Sequence, residues 1–202
     1  MRQGASRPLR RTLKLNMSSS HLHFKLEDDI WWTADTVLPS WSGFQARLGA
    51  YGAQSSAEPS DGSVRIVFAP EGRGNEPLTD VEVSSVAWVL ENEASVSKAL
   101  LSALLAEYPS LQERYGYSEE EETQLMPEVT DIDGFRSLIG LHSVNVHPLQ
   151  KNGIPYVGFE LGCTWDHEHG LGVLMHGTRV VEVGGADTAI LLWIAERDAA
   201  ES

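Results

Sequence analysis

Cysteine is nearly absent from this chain: Cys163 is the only one in 202 residues. An intrachain disulfide is therefore excluded, and so is a zinc site built on several cysteines. A single thiol fits a reducing cytoplasm, where a chain of this length can rely on its packed core without covalent staples. Long apolar runs are missing too. No stretch approaches the roughly 18 residues that a membrane helix needs, so no membrane association is expected. Cations are scarce: 15 Lys and Arg face 29 Asp and Glu, for a formal net charge of −14. Arg2, Arg7, Arg10, Arg11 and Lys14 all fall before Met17, in a stretch without a single acid. The rest of the chain is more acidic still. Such a surface repels nucleic-acid phosphates and anionic lipid and attracts a basic protein partner. Maintaining solubility is the plainer account of the acidity.

Nucleotide and acyl-transfer signatures are also lacking. There is no G-x-G-x-x-G, no Walker pattern and no G-x-S-x-G elbow. Residues 1–20 contain no secretory h-region, because Leu9, Leu13 and Leu15 are scattered among charges. They read as a disordered basic tail, with Met17 as an alternative start, and residues 21–202 as a single domain.

The patterns that are present describe an α+β fold. Weak alternation over 21–26, aromatic β-favouring residues over 30–33, a pairing segment at 44–48 and a firm alternation over 63–68 predict an antiparallel meander. Trp31, Trp32 and Trp41 fit its core better than an exposed groove. Helical spacing follows over 80–90 and 94–108, with Asn92-Glu93 as an interruption and Pro109 as the stop. The acidic run after Ser118 reads as a solvated loop or a frayed helix capped by Ser118. A short helix is expected within 130–139 and a strand over 141–146. From 156 to 183 three strands form two hairpins, and a last helix over 188–197 is capped by Asp187 or Thr188. The expectation is antiparallel sheet, in one or more pieces, with a central helical segment and a C-terminal helix.

The stretch from Tyr156 to Trp193 carries the densest pattern. Val157, Phe159, Leu161 and Cys163 alternate with Tyr156, Gly158, Glu160 and Gly162, as in a strand with one buried face. The alternation stops at Trp165-Asp166-His167-Glu168-His169-Gly170. Two imidazoles and two carboxylates at this position, with His176 further on, could bind a divalent ion and activate water. His167, His169 and His176 are the candidate ligands. Their spacing is not H-E-x-x-H, and a glycine-closed polar run is the ordinary composition of a turn. In that structural reading Asp166 accepts backbone N–H bonds. Glu168 and His169 pair with each other or with Arg179, and Trp165 packs beneath. Cys163, on the apolar face, reads as a buried, inert thiol.

The string WDHEHGLGVL followed by RVVEVGGADTA resembles an uncharacterised bacterial family, a domain of unknown function whose members carry a C-terminal W-D-x-E-H-G-x-G block. The resemblance implies a shared fold and makes Trp165, Asp166, Glu168, His169 and Gly170 the defining positions. It implies no activity. The functional expectation is a non-enzymatic protein-binding module, immunity-like or regulatory, with a basic partner and no cofactor. The alternative is a metal-dependent hydrolase centred on the same block.

Overall fold

The computed structural model describes residues 12–14, 22–47, 58–68, 71 and 75–201, with the backbone alone at 12–14. Eight strands form one sheet in chain order: β1 (Thr12–Lys14), β2 (His23–Glu27), β3 (Trp31–Val37), β4 (Ser63–Phe68), β5 (Ile139–Lys151), β6 (Ile154–Cys163), β7 (Leu171–His176) and β8 (Arg179–Gly184). Neighbours run antiparallel except β4 and β5, which are parallel. A parallel pair needs a long crossover. Here it holds three helical elements: α1 (Asp80–Tyr115), α2 (Glu119–Leu125) and a 3-10 segment, Ile132–Ser137. The fold is thus mixed α+β, with antiparallel sheet on both sides of a central helical stretch and a final helix, α3 (Leu192–Ala200).

The turns follow local rules. Asp28 and Asp29 both take positive φ between β2 and β3, as does Asn152-Gly153 between β5 and β6. These are residues that tolerate the left-handed region demanded by tight hairpins. The expected strand over 44–48 is not one. Its described residues make only an isolated bridge, Gln45 to Pro59, because Phe44 turns into the core beside Trp41, with ring centroids 5.1 Å apart. Leu48 lies outside the described residues, as does the expected basic tail apart from 12–14.

One helix replaces the expected pair. α1 runs unbroken for 36 residues through both Asn92-Glu93 and Pro109. Asn92 is satisfied inside the helix, since its Nδ2 donates to the Trp88 carbonyl at 2.8 Å. Glu93 turns inward and accepts from the Ser40 amide at 3.2 Å and the Ser97 hydroxyl at 3.5 Å. Pro109 is exposed, so water can serve the carbonyl it leaves unpaired. Beyond it Leu111 is buried and the Gln112 side chain donates to the Met126 carbonyl at 2.7 Å, which holds the last turn in place. Thr79 and Glu82 form a capping box at the start, and Gly116 closes the end at φ 60°.

The main core fills the space between one sheet face and α1. Trp32, Ile66, Phe68, Val144, Val146 and Phe159 meet Val86, Val89, Leu100, Leu104 and Tyr108 there. Trp32 and Trp41 are fully buried and their indole N–H groups are bonded, to the Glu76 carbonyl and the Ser97 hydroxyl, both at 2.9 Å. Trp31 is half-buried.

β6 was expected to bury one face and buries both. On the second face Tyr156 and Leu174 pack with Ile194 and Ala195 of α3. The 3-10 segment Ala186–Ala189 lies directly on the sheet at Gly158 and Gly172. A Cβ at Gly158 would overlap the Ala189 carbonyl, and one at Gly172 the Gly185 carbonyl. The final helix is correspondingly split. Ala186–Ala189 is 3-10, and α3 begins at Leu192 without a side-chain cap from Asp187 or Thr188. The carboxylate of Glu71 caps it instead, accepting from the Leu192 amide at 2.7 Å. Asp198 ties the far end, taking both Arg179 guanidinium nitrogens at 2.9 and 2.6 Å and the Tyr156 hydroxyl at 2.7 Å. The Arg179 guanidinium beside it holds the Asp198 carboxyl down to about 2, against the opposing effect of burial.

His147 on β5 sits under this segment, fully buried. Its ring Nε2 meets the Ala189 carbonyl at 3.0 Å. A carbonyl only accepts, so Nε2 carries the proton and Nδ1 is a bare acceptor with no partner. Burial pushes the imidazole pKa down, opposed by the Ala189 carbonyl and the charge of Glu71. A depressed histidine destabilises the folded state as pH falls below the unfolded value near 6.5, where only the unfolded chain gains the proton.

Two measurements check this layer. Gly158→Ala is expected to lower the unfolding free energy by about 1–3 kcal/mol in urea titration, the usual cost of forced overpacking; an unchanged midpoint would remove the segment from β6. His147→Gln keeps an N–H for Ala189 but does not titrate. Its melting temperature is expected to fall less than the wild type's between about pH 7 and pH 5.

Candidate functional site

The polar block joins β6 to β7, and Trp165, Asp166, His169 and Gly170 are each held by a neighbour. Thr164 donates its hydroxyl to the Leu125 carbonyl at 2.6 Å and its amide to the Leu138 carbonyl at 2.9 Å. Trp165 is buried and meets Tyr108 edge-on, with centroids 5.6 Å apart. Its carbonyl accepts the Tyr117 hydroxyl at 2.6 Å.

Asp166 is the hub. Its Oδ1 accepts the His169 amide at 2.8 Å and faces the His169 Nδ1 at 3.1 Å. Its Oδ2 accepts the Tyr115 hydroxyl at 3.0 Å, and its carbonyl accepts the Gly170 amide at 3.0 Å. Gly170 closes the turn at φ 62°, where a Cβ would also stand 2.8 Å from the Leu161 carbonyl. The His169 carbonyl then accepts the Ala186 amide at 2.8 Å, linking the loop to the segment that covers the sheet. Burial raises the Asp166 pKa, but the His169 amide and the Tyr115 hydroxyl outweigh it, and the net shift is downward. The same contact, added to burial, pushes the Tyr115 phenol up.

The structural reading of Asp166 and Trp165 matches this geometry. The expected ion pairs differ. His169 pairs with Asp166, not with Glu168 or Arg179, and Arg179 belongs to Asp198. His167, Glu168 and His169 are exposed. The candidate metal ligands do not converge. His176 ends β7 while His167 and His169 precede its start, and five strand steps at about 3.3 Å each separate Leu171 from His176 by roughly 17 Å. His176 stacks on Tyr156, centroids 4.6 Å apart, and its Nε2 donates to the Lys151 carbonyl at 3.1 Å. Among the described residues no three His, Cys, Asp or Glu side chains gather as a metal site. Cys163 is fully buried and burial pushes its thiol up to about 12, so it is not a nucleophile at neutral pH.

A pocket of about 260 Å³ opens beside the block. The end of α1 supplies Leu111, Arg114 and Tyr115; the loop and β7 supply Trp165, Gly170 and Leu171; the end of β8 supplies Val183 to Gly185. Sequence reasoning found the loop and missed the wall from α1. Tyr115 and Asp166 are 51 positions apart, and no local pattern links them. The nearest signal was Tyr115-Gly116-Tyr117, two tyrosines across a helix-ending glycine. Their rings stack at 5.8 Å.

Asp166→Ala is expected to lower the unfolding free energy by about 1.5–3 kcal/mol at neutral pH, since it strands the His169 amide and the Tyr115 hydroxyl. A carboxylate with a depressed folded pKa contributes stability above the unfolded value and loses it as pH falls through the folded one. The gap between variant and wild type should therefore narrow in urea titrations repeated at about pH 3.

No curated protein and no solved structure matches the chain. A family model described as a domain of unknown function, DUF6985, matches residues 55–191, which include the helical crossover, strands β4 to β8 and the whole polar block. That match covers more than half of the sequence, and the chain belongs to this family.

Proposed function

We propose that this protein is a non-enzymatic protein-binding module, immunity-like or regulatory, that meets a basic protein through its acidic surface. The observation that carries the reading is the state of Asp166. The carboxylate in the one block with catalytic composition is engaged by a backbone amide, a histidine ring and a tyrosine hydroxyl of its own chain. Such a group is a structural tie and has little capacity left for a substrate. The imidazoles that would make the block a metal centre are split between the two ends of β7, which gives metal-dependent hydrolysis no geometric support.

The choice of partner rests on charge. A formal net charge of −14 favours basic proteins and disfavours nucleic acid and anionic membranes. No helix among the described residues is long and apolar enough to cross a membrane. The single buried thiol supports a reducing, cytoplasmic setting.

The test is affinity capture of a stoichiometric basic protein from the source cell by the intact chain, with a Glu119→Gln, Glu120→Gln, Glu168→Gln variant as control. The complex should form at about 50 mM salt and weaken several-fold at about 300 mM, where charges are screened within a few ångströms. The variant should bind more weakly at low salt. No basic partner at low ionic strength, or a complex indifferent to both salt and variant, overturns the reading.

A further inference from the structure

We propose that the pocket between α1, the polar block and β8 is the docking point for a basic segment of the partner, and that this segment inserts one large apolar side chain. The proposal rests on the protein-binding reading and gives it a location. The pocket's size is the first argument. At about 260 Å³ it falls below the roughly 300–1,000 Å³ of sites that enclose whole small molecules, and it suits a single side chain. Its chemistry is the second. Leu111, Trp165, Leu171 and Val183 give it apolar walls. Two of its polar side chains are already engaged: the Tyr115 hydroxyl with Asp166 at 3.0 Å, and the Arg114 guanidinium with Glu107 at 2.9 Å. A polar ligand would find few unpaired groups there, whereas an apolar side chain would lose only water.

Charge around the pocket selects the flanks of the incoming segment. Glu113 adjoins Arg114 on the last turn of α1, and Glu168 sits at the tip of the loop; both are exposed. Glu119 and Glu120 lie on the outer turn of α2, also exposed. α2 is held to the same site through Tyr117, which stacks on Tyr115 and donates to the Trp165 carbonyl. Arg114 is the cation of this wall, and Glu107 offsets it. An apolar socket with carboxylates on the neighbouring turns, which have no partner among the described residues, is complementary to an apolar anchor flanked by lysine or arginine. This is the arrangement of interface hot spots, where one buried side chain carries the affinity and rim charges steer the approach. The socket is formed without a partner, so docking requires little rearrangement.

The probe is a synthetic peptide of six lysines around a central tryptophan, compared with the same peptide carrying alanine at the centre. Binding is measured at about 50 mM salt, where rim charges are weakly screened. The tryptophan peptide should bind at least about tenfold more tightly, the worth of one buried aromatic side chain. Val183→Trp, which fills the socket from an edge strand that favours aromatic residues, should abolish the difference between the peptides and leave the weak lysine attraction. Amide chemical-shift mapping on the wild type, which does not depend on a variant folding, should place the tryptophan-specific changes at Leu111, Tyr115, Gly170 and Val183. Equal binding of the two peptides, or shifts mapping elsewhere, overturns the socket while the acidic-surface reading stands on the capture experiment. Absence of binding by either peptide also overturns the socket. A captured partner that binds Val183→Trp as tightly as wild type does the same.

Discussion

A strand buried on both faces must have a separate layer against each, and in this molecule β6 obtains its second layer through the absence of two side chains. Gly158 and Gly172 lie diagonally across adjacent strands, Gly158 opposite Leu174 and Gly172 opposite Glu160. With Cβ atoms there, the backbone from Gly185 to Ala189 would have to lift off the sheet. Much else follows from that contact. It places the Ala189 carbonyl over His147, which fixes the imidazole's tautomer. It sets the start of α3, so that Leu192 can reach Glu71 from the far side of the chain. It also brings the Ala186 amide to the His169 carbonyl, so the β6–β7 loop and the covering segment hold each other. Close approach of two backbones leaves little room for compromise, because interiors are packed near crystal density and a single methyl is felt.

The loop illustrates how a composition suited to catalysis can serve folding. Histidine, aspartate and glutamate are metal ligands and bases, and they are also efficient turn residues. What separates the two uses is where the lone pairs point. In an active site the carboxylate faces a cavity with capacity to spare. Asp166 faces its own turn and the hydroxyl of Tyr115, and its pKa moves downward as that pairing demands. Trp165, meanwhile, anchors the loop from below by packing on Tyr108 and by giving its carbonyl to Tyr117. His167, Glu168 and His169 are the exposed part of the block.

Local rules explain what could be read in advance. The reversal before β6 is tighter than an expected strand over 141–146 implies, because β5 continues to Lys151 and only Asn152-Gly153 turns. The strands over 63–68 and from 156 to 183 were legible because alternation is a local backbone property. The Asp166 turn was legible for the same reason: its bonds reach three and four residues ahead. The continuity of α1 was not. Asn92 and Pro109 disfavour a helix interior by local preference, but Asn92 is satisfied within the helix by the Trp88 carbonyl, Glu93 is held by Ser40, and the turn after Pro109 is held by Met126 and the burial of Leu111. The cap of α3 was equally hidden, since Glu71 lies 121 positions from Leu192. The second burial of β6 had a signal that alternation alone obscured. Gly158 on the presumed wet face marks a place where backbone approaches backbone.

The distribution of charge completes the physical picture. Acids that hold the fold are inward and satisfied: Glu93 by Ser40 and Ser97, Asp166 by the loop, Asp198 by Arg179 and Tyr156. The acids of α2 do little for the fold. Ser118 and Glu121 cap the helix, yet α2 buries no residue of its own, and Glu119, Glu120 and Glu121 are exposed on it. Carboxylates in a first turn favour the helix by a few tenths to about 1 kcal/mol each, and their mutual repulsion works against that. Four consecutive glutamates therefore add little stability beyond what one or two would provide. Their field extends about 8–10 Å into solvent at ordinary salt, far enough to bias the approach of a basic surface and too short to act beyond it. α2 is tied to the chain at its end, where Leu125 packs against the main core and gives its carbonyl to Thr164, while the glutamates of its first turn add charge more than stability.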